Sequence, residues 1–213
     1  MKNKLLIIGA SGHGKVVADI ALKMNKWKCV AFLDDDESVK TSLGIKVIGK
    51  TEDALKHLND CDIFVGIGNN AIREKLQEKL ELEGASLPIL IHPNAVIGEE
   101  VKIKSGTVVM AGVVINCSTA LGKGCIINTG ATIDHDNNIE DYVHISPGVN
   151  TAGSVKIGRL TWIGIGSVVS NNVSITQRSI LGANATVVKN LTEPGTYVGV
   201  PARRLTNENT HSS

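Results

Sequence analysis

Residues 121–139 read LGKGCIINTGATIDHDNNI, in which an aliphatic residue returns at every sixth position: Leu121, Ile127, Ile133 and Ile139. The same spacing runs from Ile97 to Val187, where fifteen of sixteen such positions hold Ile, Leu or Val. Since this window contains 28 such residues, chance would place about five of them at those positions. A period of six predicts a parallel β-solenoid whose coils each have three short faces. Thr151 alone breaks the series.

The composition agrees with this interpretation. Aromatic residues make up only 3% of the 213 residues, whereas glycine occurs 22 times. Stacked aliphatic residues form a narrow core without space for aromatic rings, and glycines serve its turns. The solenoid is predicted over about 91–188, with some five coils.

The residues that precede the solenoid have a different pattern. Apolar strands are predicted at 5–8, 29–33 and 63–66, and helices at 16–26 and 71–83. The expected architecture is therefore an α/β protein: a Rossmann-like βαβ domain over residues 1–88, followed by a parallel β-helix over 89–205. The polar residues 206–213 are expected to form a disordered tail.

Charge and cysteine content narrow the class of partner. The net charge is +1, from 22 basic and 21 acidic residues, and no run of like charges indicates a nucleic-acid or membrane surface. The four cysteines form no C-x-x-C pair, which favours reduced thiols. The apolar run 5–8 is too short for a signal or spanning segment. We therefore expect a cytoplasmic protein that binds small molecules, with no metal site.

A glycine-rich loop is the first candidate site. Gly9-Ala10-Ser11-Gly12-His13-Gly14 follows a predicted strand and opens a helix, where backbone N–H groups can hold a diphosphate. Asp34 and Asp35 follow the second strand and can accept from sugar hydroxyls. The segment 66–70, GIGNN, offers a second close backbone approach. The alternative is that the glycines only make turns and the aspartates only face solvent.

A second candidate site lies within the solenoid. His135 comes two residues after the inward Ile133, so its ring should point away from the core, and Asp136 can orient it. This pair suits a general base, although a solvated surface histidine is an equal alternative. His144 also falls outside the inward positions. The two histidines are half a coil apart, so they should lie on different faces, and a neighbouring chain would help both to meet one ligand.

Together these motifs resemble a known family. The chain is similar to the bacterial sugar O-/N-acyltransferases, which include the UDP-4-amino-sugar N-acetyltransferases of bacillosamine synthesis and the sialic acid O-acetyltransferases. The resemblance covers residues 4 to about 205 and rests on six motifs in order: GASGHG (9–14), FLDD (32–35), GNNAIR (68–73), LIHP (90–93), HD (135–136) and VGVPAR (198–203).

The resemblance implies a left-handed β-helix and a homotrimer with active sites between subunits. Residues implied to bind the nucleotide-sugar are Ser11, Gly12, His13, Asp34, Asp35, Gly68 and Asn128. His135 matches the general base and Asp136 its partner, where the bacillosamine-type enzymes carry Glu. Residues implied to line the acetyl-CoA channel are His144, Gly153, Ile165 and Ala183.

The function expected from these observations is acetyl transfer from acetyl-CoA to the 4-amino group of a UDP-linked amino-deoxy sugar. A histidine base can take the proton of the amine as nitrogen attacks the thioester, so that no acyl-enzyme is needed. O-acetylation of a sugar hydroxyl, as on sialic acid, is the alternative within the family. Two other classes remain: a nicotinamide-dependent oxidoreductase, which would leave the β-helix unused, and a non-catalytic scaffold.

Overall fold

The computed structural model describes residues 2–206. They form an α/β domain followed by a β-solenoid, as predicted. The predicted boundary at residues 88 and 89 lies between the last helix of the first part and the first strand of the second. Apart from Thr206, the predicted disordered tail lies outside the described residues. No helix among the described residues is long and apolar enough to cross a membrane.

The first domain is built on a three-stranded parallel sheet in which the first strand of the chain lies between the other two. Its elements are β1 (Lys4–Ile8), α1 (Gly12–Met24), β2 (Cys29–Leu33), β3 (Thr41–Ser42), β4 (Ile45–Lys46), a 3₁₀ helix (Thr51–His57), β5 (Cys61–Val65) and α2 (Asn70–Leu82). The three predicted strands and two predicted helices are all present. The β3–β4 hairpin and the 3₁₀ helix were not predicted, because their short segments lack a periodic apolar pattern.

The solenoid has three faces of parallel two-residue strands. Face 1 contains β6 (Leu90–Ile91), β9 (Val108–Val109), β12 (Ile126–Ile127), β15 (His144–Ile145), β18 (Trp162–Ile163) and β21 (Ile180–Leu181), and is extended by β23 (Thr196–Val198) and β24 (Arg203–Arg204). Face 2 contains β7 (Val96–Ile97), β10 (Val114–Ile115), β13 (Thr132–Ile133), β16 (Asn150–Thr151), β19 (Val168–Val169) and β22 (Thr186–Val187). Face 3 contains β8 (Lys102–Ile103), β11 (Ala120–Leu121), β14 (Asn138–Ile139), β17 (Lys156–Ile157) and β20 (Ser174–Ile175).

The strand register explains the sequence period. Ile127 pairs with Ile145 and Ile133 with Thr151, a displacement of one coil in each case. The second residue of each strand points inward and the first outward, because side chains alternate along a strand. The inward aliphatic residues from Val109 to Val187 form one continuous core. Thr151 is only 4% exposed, so the exception in the series also points inward.

The α/β domain packs on the lower part of face 1, which is the part formed by its N-terminal coils; the C-terminal coils form the upper part. Leu90, Val108 and Ile126, the outward residues of three successive face 1 strands, share a core with Val17 of α1 and Leu5 of β1. Each fully buried side chain of this size contributes roughly 1.5–3 kcal/mol. This packing fixes the carboxyl ends of β1 and β5 beside the upper coils of face 1.

Candidate active site

Two glycine-containing loops meet where β1 and β5 end. In the strand order β2-β1-β5, β2 lies on one side of β1 and β5 lies on the other. The carboxyl end of β1 is therefore a topological switch point, and ligands bind at such points. A Cβ on Gly14 would lie 1.9 Å from the carbonyl oxygen of Gly9, and one on Gly66 would lie 3.2 Å from the Gly14 Cα. These three glycines therefore allow the loops to touch each other, which agrees with the turn-making alternative for them.

Other residues of the same loops face open space. No heavy atom lies within 4 Å of a Cβ built on Gly12 or Gly68. Ser11 is exposed and precedes α1, and its hydroxyl makes no capping hydrogen bond. The N-terminus of α1 thus presents free backbone N–H groups and a hydroxyl, an arrangement suited to an anion such as a diphosphate.

The two predicted aspartates are already engaged within the chain. Asp34 accepts hydrogen bonds from Ala10 N through Oδ2 (2.6 Å) and from Asp36 N through Oδ1 (2.9 Å). Asp35 Oδ1 accepts from Thr51 N at the start of the 3₁₀ helix (2.9 Å). Asp34 therefore fixes the glycine loop to the end of β2, whereas the second carboxylate oxygen of Asp35 has no hydrogen bond to any residue that the structure describes.

His13 and His144 form the buried part of the site. Burial, reinforced by the positive charge of Arg73, lowers the pKa of His13 to about 4. Burial, with Arg73 and His13 adding to it, lowers the pKa of His144 to about 3. Both rings are therefore neutral at neutral pH. The His13 Nε2 and the His144 Nδ1 are buried without a hydrogen bond of good geometry among the described residues, which is uncommon in folded proteins. The Gly68 backbone lies near the His144 ring and opposes the lowering of its pKa.

The proton position on His144 follows from its neighbours. Thr129 N donates to Asn128 Oδ1 (2.8 Å), which orients the amide so that Asn128 Nδ2 faces His144 Nε2 (3.3 Å). Because Nδ2 is a donor, Nε2 must accept, and the proton of the neutral ring then resides on Nδ1. The unpartnered Nδ1 is therefore a hydrogen-bond donor.

Arg73 of α2 ties this region to the solenoid. Its side chain is 1% exposed and donates to Ile67 O and Gly68 O (both 3.0 Å), and across the domain boundary to Gly124 O (2.7 Å) and Tyr142 O (3.2 Å). Arg73 belongs to the GNNAIR motif, but the sequence alone assigns it no role, because a charged residue on a predicted helix is usually solvated. Its burial was the missing information.

A pocket of about 410 Å³ opens on the upper part of face 1. It brings together four of the predicted residues, Asn128, His144, Ile165 and Ala183, with Trp162. Trp162 stacks on His144 with ring centroids 4.7 Å apart and donates from Nε1 to Ser146 Oγ (3.0 Å). Trp162 was not predicted as a site residue. The signal that could have identified it is that the chain has only two tryptophans, and this one falls at an outward strand position.

His135 and Asp136 lie elsewhere on the solenoid. His135 Nδ1 is 2.7 Å from Asp136 Oδ2, and both side chains are more than half exposed. The hydrogen bond that His135 donates to Asp136, with the nearby charge of Asp134, raises the pKa of His135. A Cβ on Gly153, one coil further along, would lie 2.6 Å from the His135 ring. Gly153 is therefore beside His135, and apart from the other predicted channel residues.

The two histidines are on opposite sides of the solenoid. His135 lies in the turn between β13 of face 2 and β14 of face 3, and this edge is opposite to face 1. His144 lies on face 1 itself. Within one chain the body of the solenoid separates them, as the sequence spacing predicts.

One further group of potential ligands lies at the start of β5. His57, Asp60 and Cys61 place their ligand atoms within 4.8 Å of one another. Burial raises the pKa of the Cys61 thiol, and the Lys2 ammonium lies 3.1 Å from the Cys61 carbonyl oxygen. A thiol that burial keeps protonated is a poor metal ligand, because metals bind the thiolate.

Comparisons with known proteins agree with this architecture. The PglD N-terminal domain family matches residues 4–80. The acetyltransferase domain of PglB from Neisseria gonorrhoeae, solved in complex with acetyl coenzyme A, is 38% identical, with a TM-score of 0.93 over 96% of this chain and 100% of that one. A histidine-to-asparagine mutant of perosamine N-acetyltransferase from Caulobacter crescentus, in complex with CoA and GDP-perosamine, is 35% identical, with a TM-score of 0.91 over 96% and 97%.

A further relative is UDP-N-acetylbacillosamine N-acetyltransferase of Bacillus subtilis, 37% identical over 52% of each chain. The solenoid matches the left-handed β-helices of such acetyltransferases. The chain therefore belongs to the acetyl-CoA-dependent sugar N-acetyltransferases with hexapeptide repeats.

Proposed function

We propose that this chain transfers the acetyl group of acetyl-CoA directly to the 4-amino group of a UDP-linked amino-deoxy sugar, with His135 as general base. The observation that carries this proposal is the exposed His135, which is hydrogen-bonded to Asp136 and has a raised pKa, on the edge opposite a pocket with neutral, buried His144. The first ring takes up a proton more readily than a free imidazole, whereas the second stays neutral and can only donate or accept hydrogen bonds.

The nucleotide-sugar is assigned to the loops of the α/β domain. Ser11, Gly12 and the N-terminus of α1 bind the diphosphate, because they offer donors in open space. Gly68 and Asn128 flank the sugar, and the unpartnered nitrogen of His13 gains a partner when the nucleotide-sugar binds. The free oxygen of Asp35 is available to the nucleoside, while Asp34 acts by holding the loop.

The reaction needs one base and one donor. The sugar ammonium first loses a proton to solvent, and its nitrogen then attacks the thioester carbon. His135 takes the second proton as the new C–N bond forms and passes it to the departing CoA sulfur. His144 Nδ1–H, or a backbone N–H, donates to the carbonyl oxygen as it gains negative charge. General base catalysis of this kind contributes about 10² to 10⁴ in rate.

The proposed assembly is a homotrimer with each site between two subunits. The edge with His135 and Gly153 of one subunit faces the pocket with His144, Ile165 and Ala183 of its neighbour, and acetyl-CoA lies between them. Exposed apolar side chains on the relevant surfaces support this arrangement: Val96, Val168, Ile165 and Ile180 are 61%, 42%, 55% and 48% exposed, and such patches mark interfaces. We also propose a cytoplasmic location, where acetyl-CoA is available.

The first experiment measures thiol release from acetyl-CoA with matched UDP- and GDP-linked 4-amino-4,6-dideoxy sugars, for wild type and His135→Ala. Turnover on a UDP-linked sugar that falls by about 10² or more in the mutant supports the proposal. Undiminished mutant turnover would show that His135 is not the base. An acetylated cysteine trapped during turnover would contradict direct transfer.

GDP-linked sugars are the second candidate substrate class. The observation in their favour is the 35% identity with the perosamine N-acetyltransferase that binds GDP-perosamine. Preference for the GDP-linked member of a matched pair would assign the chain to this class. Turnover only with hydroxyl acceptors would favour O-acetylation instead.

A complementation experiment tests the shared site. Gly12→Asp places a carboxylate where the diphosphate is proposed to bind, and the open space there accepts the side chain. His135→Ala removes the base. If sites form between subunits, random co-assembly of the two inactive variants restores about a quarter of wild-type activity, because one site in four combines an intact loop with an intact histidine. No recovery would place the site within one chain.

A further inference from the structure

The turn that presents His135 has an unusual buried residue at its end. Residues 134–137 connect β13 to β14, and Asp136 adopts a left-handed conformation with φ of 58°. Asp134 Oδ1 accepts from His135 N (2.8 Å) and from Asn116 Nδ2 (2.8 Å). The turn ends at Asn137, whose side chain points into the solenoid and is 1% exposed.

The Asn137 amide group bonds to the turn itself. Its Nδ2 donates to the carbonyl oxygens of Asp134 (2.7 Å) and His135 (3.2 Å), and to Ala152 O of the next coil (2.9 Å). The peptide groups on both sides of the His135 Cα are therefore held from inside the solenoid. By contrast, its Oδ1 is buried without a hydrogen-bond partner among the described residues.

The same position in other coils does not need this residue. Thr119, Val155 and Val173 occupy it one coil before, one coil after and two coils after Asn137, and all three are buried. The turns that end at these residues share the left-handed third position, with Ser118, Ser154 and Asn172 at φ of 58°, 59° and 59°. The turn conformation thus forms with valine, so Asn137 is not required for the fold.

We infer that Asn137 is a positioning residue that restrains the His135 turn and so holds the base in place for proton transfer. The inference rests on the proposed role of His135 as general base. A buried amide with an unpartnered oxygen is a cost that an aliphatic residue would avoid. That cost is explained if the bonds to Asp134 O and His135 O serve the precision of the catalytic group, since small displacements of a reacting group reduce rates strongly.

The test is Asn137→Val, which copies the residue found at the same position in the next coil. We expect kcat to fall about tenfold through lost alignment, while KM for both substrates stays within a factor of two. The hydrogen bond that His135 donates to Asp136 raises the pKa of His135. A loosened turn weakens that bond, so the acidic limb of the pH–rate profile should move to lower pH. The unfolding temperature should stay equal or rise.

Two further variants separate the turn bonds from other effects. Asn137→Thr can still bridge to the next coil, as Thr119 Oγ1 does by donating to Asp134 O (2.9 Å), but it cannot reach both turn carbonyls. It should show the same displaced acidic limb as Asn137→Val. Thr107→Val removes a buried bridge to Gly122 O in a distant turn and should lower stability without moving the limb.

Unchanged kcat and an unchanged pH profile in Asn137→Val would overturn the inference, and so would equal displacement of the limb in Thr107→Val. Parallel assay of His135→Ala distinguishes the two levels of proposal. If His135→Ala retains activity, the base assignment itself is wrong; if it loses activity while Asn137→Val does not, only the role of Asn137 is wrong.

Discussion

Two histidines of this chain have their pKa values shifted in opposite directions: His135 on an exposed edge of the solenoid and His144 buried in a pocket. On the solvent-exposed edge, the hydrogen bond to Asp136 and the nearby charge of Asp134 raise the pKa of His135. In the pocket, burial beside Arg73 and His13 lowers the pKa of His144 to about 3. The first ring therefore takes up a proton more readily than a free imidazole, whereas the second stays neutral at neutral pH and can only donate or accept hydrogen bonds.

This difference shows that position in the solenoid sets the chemical role of each histidine. A turn residue at an edge not covered by the α/β domain remains hydrated and can be paired with its sequence neighbour. A strand residue on face 1 is covered by the α/β domain and by Trp162 of the next coil. The four predictions below test each half of this comparison.

The largest expected effect is acid destabilisation by the buried histidines. Below pH about 6.5 the unfolded chain binds protons at His13 and His144, while the folded chain does so only near pH 4 and pH 3. Stability is therefore full above that value and falls as the pH decreases, by about 1.4 kcal/mol per pH unit for each histidine. Urea unfolding at pH 7, 6, 5 and 4.5 measures the slope.

His144→Phe keeps an aromatic ring against Trp162 and removes one titrating group. It should reduce the loss of stability between pH 6 and pH 4.5 by about half. His135→Asn, at the exposed edge, should not reduce it. Equal slopes in wild type and His144→Phe would contradict the assignment of a neutral, buried His144.

Asp136→Asn tests the edge. It keeps the shape of the side chain and removes the charge that raises the pKa of His135, so the acidic limb of the pH–rate profile should move to lower pH. Loss of the orienting carboxylate should lower kcat about tenfold or more. Glu100→Gln is a matched control, because Glu100 occupies the same turn position two coils earlier and should leave the limb in place.

Trp162→Ala tests the pocket. The substitution removes both the stack on His144, with centroids 4.7 Å apart, and a wall of the pocket proposed to bind acetyl-CoA. Since an aromatic contact of this type contributes about 0.5–1.5 kcal/mol, KM for acetyl-CoA should rise up to about tenfold, with little change in the acidic limb set by His135. Trp162→Phe should retain most of the affinity. A raised KM in neither variant would remove Trp162 from the site.

Sequence reasoning predicted the repetitive half of the molecule well for a physical reason. In a solenoid each coil contacts only its neighbours, so one local period determines register, core and the side on which each residue lies. The placement of His135 and His144 on different sides followed from their spacing alone. The β3–β4 hairpin and the 3₁₀ helix were missed because their conformations depend on packing against β2 and β1.

The roles assigned to the site residues stay predictions, but the structure shows where each of those residues lies. Ser11, Gly12 and Gly68 lie in open space as a binding loop requires, but Asp34 proved to be a loop-holding residue, with both of its oxygens engaged. Arg73 and Asn137 received no role because both look like surface residues in the sequence. Only the three-dimensional packing reveals that each is buried and bonded to backbone carbonyls beside a histidine.

The smallest predicted effect concerns Thr151, the exception in the aliphatic series. Its Oγ1 is buried without a hydrogen-bond partner among the described residues, between Ile133 and Val169 on adjoining strands. Thr151→Val replaces the hydroxyl with a methyl group of similar size, and should raise the free energy of unfolding by about 1 kcal/mol. Denaturant unfolding measures the change, with Val169→Thr as the reverse substitution one coil away.

The outcome of this pair bears on the comparison between edge and pocket. Thr151 lies one coil beyond Ile133, which directly precedes the His135 turn, so its hydroxyl is near the edge but inside the core. If Thr151→Val is more stable and equally active, the hydroxyl is a tolerated defect and the edge depends on its own turn contacts. If stability rises while kcat falls, the core beneath the edge also contributes to placing His135.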